Sequence, residues 1–113
     1  MSYESRMDAT SDLLFRTLGD PTRRALFERL AGAEALTVRA LTEHSGVSQP
    51  AVSKHLSVLR RAGLVEGRAA GRETHYRARP EGLKPLLGWM ARYAEFWEGR
   101  FDALEDLLKR MDQ

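Results

Sequence analysis

Apolar residues recur along this chain at steps of three and four, interrupted by glycine and proline. That spacing lines one face of a helix. Leu13, Leu14 and Leu18 form the first such group. Thr10 or Ser11 can cap its helix, Asp12 lies near its positive end, and Gly19 ends it. Residues 1–9 have no period and read as a mobile lead-in. Asp20-Pro21 restarts the chain as N-cap and first helical residue. Ala25, Leu26 and Leu30 give this second helix an inward side, while Arg23, Arg24, Glu28 and Arg29 read as a solvated face. Gly32 to Leu36 reads as a loop. Thr37 caps a third helix, with Val38 and Leu41 inward and His44 in its last turn.

Ser45-Gly46-Val47-Ser48 follows as a tight turn. Gly46 suits the positive φ of a helix stop, and Ser48 suits the N-cap of the next helix. Pro50 sits in the first turn, where its missing N–H does little harm. Val52, Leu56 and Leu59 then keep to one side. Gln49, Pro50, Ser53, Lys54, Ser57 and Arg61 are left outward, and His55 falls on the border. Gln can bond a base edge bidentately, Ser can donate or accept, and Lys and Arg suit phosphates.

Gly63 ends that helix. Leu64-Val65 starts a strand, Ala69-Ala70-Gly71 turns it, and the return strand alternates Thr74, Tyr76 and Ala78 against Glu73, His75 and Arg77. The period predicts a two-stranded ribbon with Arg68 and Arg72 flanking its tip. Pro80-Glu81-Gly82 is a break. From Pro85 the steps Leu86, Met90, Tyr93, Ala94, Trp97, Phe101, Leu104 and Leu108 predict one long helix. Over residues 85–112 it would be about 42 Å long at about 1.5 Å per residue. A domain of this size has a radius of gyration of only ~13 Å, so part of the stripe should meet a second copy. Leu13, Leu14 and Leu18 are expected to join Tyr93, Trp97, Phe101 and Leu104 in that dimer interface.

Charge sharpens the picture by its distribution. The chain has 113 residues and a net charge of +2. Residues 1–47 carry six Lys/Arg and seven Asp/Glu, residues 48–79 seven against two, and residues 80–113 five against seven. The basic excess therefore sits on the turn's second helix and the ribbon, as nucleic acid would require. With no cysteine there is no disulfide, thiolate metal site or cysteine nucleophile. Phosphate-binding glycine motifs and a zinc-protease motif are missing, and Ser53 and His55 face different ways on one helix. The expectation is a protein that is not an enzyme and needs no cofactor. The beginning MSYESRMDATSD lacks a secretory apolar stretch, so a cytoplasmic protein is expected.

The runs LGDPTRRALFERL, VSQPAVSKHLSVLRRAGLV and EGRAAGRETHYRARP resemble the ArsR-like family of winged-helix repressors. The likeness extends over nearly all the chain past about residue 12. It implies dimeric DNA-binding regulators. Two of that family's metal-sensing schemes find no match here. One needs cysteine in the third helix, where this chain has VRALTEH, and the other needs histidine in the tail, which has none. His44, His55 and His75 fall on three separate elements, and Asp102, Glu105 and Asp106 read as a solvated face, so no metal site is expected.

The reading is a single α+β domain over residues 1–113, mostly α. Residues 37–62 form a helix-turn-helix, 64–79 a two-stranded wing, and 85–112 a dimerisation helix. Its function is expected to be sequence-specific binding of double-stranded DNA at a pseudo-palindromic operator, as a homodimeric repressor. The DNA face is expected to comprise Ser48, Gln49, Pro50, Ser53, Lys54, His55, Ser57, Arg61, Arg68 and Arg72. A small-molecule effector could enter near Trp89, Tyr93 and Trp97. The alternative is a winged helix used only for protein–protein contact, which would need an apolar recognition face.

Overall fold

The first helix, α1 (Ser2–Gly19), is longer than its apolar run. Residues 2–18 contain no glycine or proline, so the helix runs through Thr10 and Ser11 instead of starting at either. Residues 2–9, expected as a mobile lead-in, belong to it. The computed structural model describes the backbone of residues 2–111 and the side chains of residues 9–111 apart from 95, 97, 98, 101 and 104.

Asp20 caps α2 (Pro21–Ala31), its carboxylate accepting the Arg23 N–H at 3.0 Å. Leu26, Phe27 and Leu30 form the inward side of α2. Ala25, expected inward, is exposed, and Phe27 fills the core in its place. The arginines of α2 are not merely solvated. Arg23 Nε donates to the carbonyl of Thr17 at 2.8 Å, and Arg24 donates to that of Leu18 at 2.7 Å. Both carbonyls belong to the last turn of α1, where acceptors are unpaired and a cation is favoured.

The sheet has three strands rather than two. β1 (Leu36–Thr37), β2 (Val65–Ala70) and β3 (Glu73–Ala78) lie antiparallel in the order β1-β3-β2. Leu36 pairs with Tyr76 and Thr37 with His75, so the stretch read as a loop covers one edge of the ribbon. Thr37 then caps α3 (Val38–Thr42), accepting the Ala40 N–H at 3.1 Å. α3 stops at Thr42, short of the expected end near His44. His44 lies beyond it at φ 67°, and Gly46 follows at φ 79°.

The helix α4 (Gln49–Arg61) packs over α2 and α3. Leu14, Leu26, Phe27, Leu30, Leu41, Val52, Leu56, Leu59, Leu64 and Val65 close a core beneath it. Each such side chain contributes about 1.5–3 kcal/mol on leaving water. Leu18, Leu36, Val38, Tyr76, Leu83 and Leu86 pack around this core.

After β3 the chain makes a 3-10 turn, Pro80–Leu83, held against the end of α4. The Arg79 N–H donates to the Leu64 carbonyl at 2.7 Å. A Cβ on Gly82 would stand 2.2 Å from the Gly63 carbonyl oxygen, so only glycine permits this approach.

The tail is two helices, not one. α5 (Lys84–Ala91) carries Pro85 in its first turn, as expected, and packs on α1. α6 (Ala94–Met111) follows a break at Arg92-Tyr93. There the N–H groups of Arg92 and Tyr93 reach back three residues, to Trp89 and Met90. Trp89 anchors α5 edge-on against Phe15, with ring centroids 5.2 Å apart. The described side chains of α6 are all exposed. The Cα radius of gyration is 17.6 Å, above the ~13 Å of a compact domain this size. No helix among the described residues is long and apolar enough to cross a membrane.

Candidate nucleic-acid interface

Buried positions fix which way α4 faces. Val52, Leu56 and Leu59 are fully enclosed. The opposite side therefore presents Gln49, Pro50, Ser53, Lys54, Ser57 and Arg61, all exposed. Ser48, also exposed, caps the helix by accepting the Ala51 N–H at 3.3 Å. His55 is half-buried beside the outward row. Its charge is one of those that reach Asp20. The Asp20 carboxyl is held below its ordinary range chiefly by the Arg23 backbone N–H, then by the charges of Arg23 and His55.

The turn ahead of α4 is braced from two directions. Ser45 Oγ donates to the Thr42 carbonyl at 2.7 Å and accepts the Val47 N–H at 3.2 Å. From α2, Arg29 donates to the carbonyls of Leu41, Glu43 and Ala40 at 2.9, 3.0 and 3.1 Å. A guanidinium fork thereby occupies the C-terminal end of α3 and ties it to α2.

The β2–β3 hairpin, expected as the wing, is closed by Gly71 at φ 66° and Arg72. Gly67 stands opposite Tyr76, and a Cβ there would come within 3.0 Å of Thr74 and 3.1 Å of Tyr76. Its bare backbone lets those side chains lie across the strand toward α4. Gln49, Ser53, Arg72, Thr74 and Tyr76 border one open concavity of about 410 Å³. Arg39 of α3 borders it too, a cation that sequence reading missed. Position alone could not reveal it, because it meets Gln49 and Arg72 only once the wing folds back.

Arg68 is placed differently. It pairs across the strands with His75 and shares with His75 and Arg77 the opposite face of the ribbon. It therefore borders a different concavity from Gln49 and Ser53, with which it was expected to share one DNA face. Arg77 and Arg79 are partly spent as well. Glu66 lies 3.5 Å from Arg77, and Glu81 lies 3.0 Å from Arg79. Glu81 is held below the ordinary carboxylate range by its own backbone N–H and by Arg79. The exposed cations on α4 and around the concavity are then Arg39, Lys54, Arg60, Arg61 and Arg72, with Arg68 exposed on the other face of the hairpin.

The expected dimer residues divide. Leu13 and Tyr93 are exposed, at 40% and 45%. Leu14 is 1% exposed inside its own core and is not available to a partner in this conformation. Leu18 packs mostly on that same core. The side chains of Trp97, Phe101 and Leu104 lie outside the described residues. Phe15, Leu87 and Met90, not singled out from sequence, extend the exposed apolar surface beside Leu13 and Tyr93. His55 lies on α4, His75 on β3, and His44 in the turn after α3.

Comparison with known proteins fits this geometry. A family model described as a helix-turn-helix domain matches residues 18–68. The chain is 30% identical over 99 residues to the arsenical resistance operon repressor of Escherichia coli, covering 87% of this chain and 81% of that one. It is 47% identical over 75 residues to a helix-turn-helix-type transcriptional regulator of Mycobacterium tuberculosis, covering 66% of this chain and 69% of the relative. Among solved structures, an ArsR-like transcriptional regulator from Rhodococcus sp. RHA1 superposes with a TM-score of 0.68 at 31% identity, covering 88% of this chain and 92% of that one.

Proposed function

This chain belongs to the ArsR-like family of winged helix-turn-helix, DNA-binding transcription regulators, and from that premise we propose that it is a homodimeric repressor of a pseudo-palindromic operator. The observation that carries the reading is the two-sidedness of α4. Its inner face is fully enclosed, and its outer face offers Gln49, Ser53, Lys54, Ser57 and Arg61 to a groove. Such a helix fits the major groove, with the residues of its first turns nearest the base edges. Gln49 and Ser53 read bases, while Lys54, Arg61 and the wing's Arg72 hold phosphates. Arg39 joins them at the concavity. A protein-docking module would instead need an apolar recognition face, and this one is polar.

Pairing follows from the exposed apolar surface at Leu13, Phe15, Leu87, Met90 and Tyr93. A second copy covering it by two-fold symmetry would set two recognition helices about 34 Å apart, one turn of DNA. Repression follows where such a site overlaps a promoter, and the Escherichia coli relative is itself named a repressor.

The test is a duplex titration at two salt concentrations, using DNA selected from random sequence by the protein itself. A selected palindrome bound at least ~10³-fold more tightly than random duplex supports the proposal. Equal affinity for both would overturn sequence-specific recognition.

A further inference from the structure

We infer that the groove between α1 and α5 is a binding site for a small planar aromatic molecule carrying one hydrogen-bonding group. The groove holds about 290 Å³ and is lined by Thr10, Ser11, Pro85, Gly88, Trp89 and Arg92. Three features of it point to an occupant.

The first is Ser11. It is only 4% exposed, and its hydroxyl has no hydrogen-bond partner among the described residues. A hydroxyl removed from water without a partner is a loss that an incoming donor or acceptor would recover. The second is Gly88, in the interior of α5. Glycine weakens a helix relative to alanine. Here a Cβ would meet nothing within 4 Å, so no close packing requires the glycine. What it leaves is a flat gap over the helix. The third is the wall. Trp89 is half-buried, held edge-on to Phe15 and tilted against Tyr93, each with centroids 5.2 Å away. A ring slid over Gly88 meets the indole in an arrangement that aromatic pairs prefer.

Size and chemistry narrow the class. A volume near 290 Å³ lies at the small end of ligand pockets, which suits one or two fused rings. Largely apolar walls, with hydroxyls at Thr10 and Ser11 and Arg92 also lining the groove, suit a phenol- or indole-like molecule better than a sugar or a nucleotide. The site also has a mechanical connection. α5 continues from the 3-10 turn whose Gly82 abuts Gly63, two residues past the end of α4. A ring wedged between α1 and α5 moves that turn against the recognition helix and changes duplex affinity. The coupling rests on the DNA-binding reading, but the site does not.

The experiment titrates indole into the full-length, DNA-free protein by isothermal calorimetry. Saturable binding at one site per chain is expected. Gly88→Leu fills the gap and abolishes binding, while Gly88→Ala retains it and controls for the helix. Ser11→Ala weakens binding about two- to tenfold, the range of one hydrogen bond, and leaves the melting temperature undiminished because no internal bond is lost. Lack of saturable binding by the wild type, as when a second copy covers the groove, overturns the site. Unchanged binding by Gly88→Leu overturns its location, and a lower melting temperature for Ser11→Ala overturns the role of the hydroxyl. In a second titration, saturating indole that leaves duplex affinity unchanged overturns only the coupling.

Discussion

The guanidinium of Arg29 donates to the main-chain carbonyl of Leu41 across 2.9 Å. This joins α2 to the last turn of α3, directly before the turn that aims α4. Two further carbonyls, those of Ala40 and Glu43, share the same fork. Without it, these acceptors at the end of α3 must be satisfied by water alone.

Arg29→Met should therefore destabilise the domain by about 1.5–3 kcal/mol, the range for hydrogen bonds to a charged group. Arg29→Lys should restore only part, because an ammonium keeps the charge but lacks the planar fork. Urea unfolding with a shared slope measures both. A midpoint unmoved in Arg29→Met would mean that the fork has no net role in stability.

A second prediction concerns Gly82. Its missing side chain admits the Gly63 carbonyl to where a Cβ would stand, 2.2 Å away. The obstruction is backbone and cannot rotate aside. Gly82→Ala should cost about 1–3 kcal/mol, as for overpacking. Gly88→Ala should do the opposite, raising stability by about 0.5–1 kcal/mol, because its Cβ enters open space in a helix. Thermal unfolding of the two variants side by side checks the signs.

These residues also mark where sequence reading ends. Asp20, Thr37 and Ser48 were legible as caps because each acts three residues away along the chain. Gly63 was legible as a helix stop and Gly71 as a hairpin turn residue, and both have positive φ. The exposed side of α4 followed from the spacing of Val52, Leu56 and Leu59. Arg29 acts on carbonyls eleven to fourteen residues away, and no local pattern marks that. Leu36–Thr37 becomes a strand only because β3 returns beside it. The tail's apolar steps pass unbroken through Arg92-Tyr93, and the contact of Trp89 with Phe15 that fixes α5 is long-range. Arg68 was legible as a flank of the hairpin tip, while its place beside His75 and Arg77 follows only from the register of β2 against β3.

On the DNA face the two kinds of contact should separate. Gln49→Ala should narrow the gap between specific and random duplex by ~1–3 kcal/mol, the worth of one bidentate base contact. Arg72→Ala should weaken all sequences alike and make the slope of log K against log salt shallower by about 0.9. Fluorescence anisotropy across a salt series reads both quantities. An Arg72→Ala slope equal to that of the wild type would remove the wing tip from the phosphate contacts.

Acid should loosen the entry to α2. The Asp20 carboxyl is held below its ordinary range in the folded state, first by the Arg23 N–H. Its stabilisation is therefore present above the unfolded pKa and is lost as pH falls through the lower folded one. Asp20→Asn keeps the capping acceptor but cannot titrate. Its unfolding midpoint should fall less steeply than that of the wild type below about pH 4, near the reference value for aspartate. Parallel acid profiles for the two proteins would show that another carboxylate carries the dependence.

The dimer is the remaining expectation, and its surface can now be drawn without Leu14. Leu13 on α1 and Tyr93 between α5 and α6 are exposed and lie outside the core cluster, Tyr93 touching the chain's interior through Trp89. A charge at each should spare the monomer's stability and oppose apolar pairing. Leu13→Asp with Tyr93→Asp should sediment as a monomer at micromolar concentration, where the wild type sediments as a dimer. The same variant should bind a full palindrome no better than a single half-site, because the second contact no longer gains from being tethered. Its loss of affinity for the palindrome should reach about 10²-fold or more, the low end of what linking two sites provides. Leu14→Ala should behave in the contrary manner. It removes enclosed core and should lower stability by about 2–5 kcal/mol, while any folded fraction still dimerises. A wild-type chain that sediments as a monomer, or a Leu13/Tyr93 variant that stays paired, would place the interface elsewhere on the molecule.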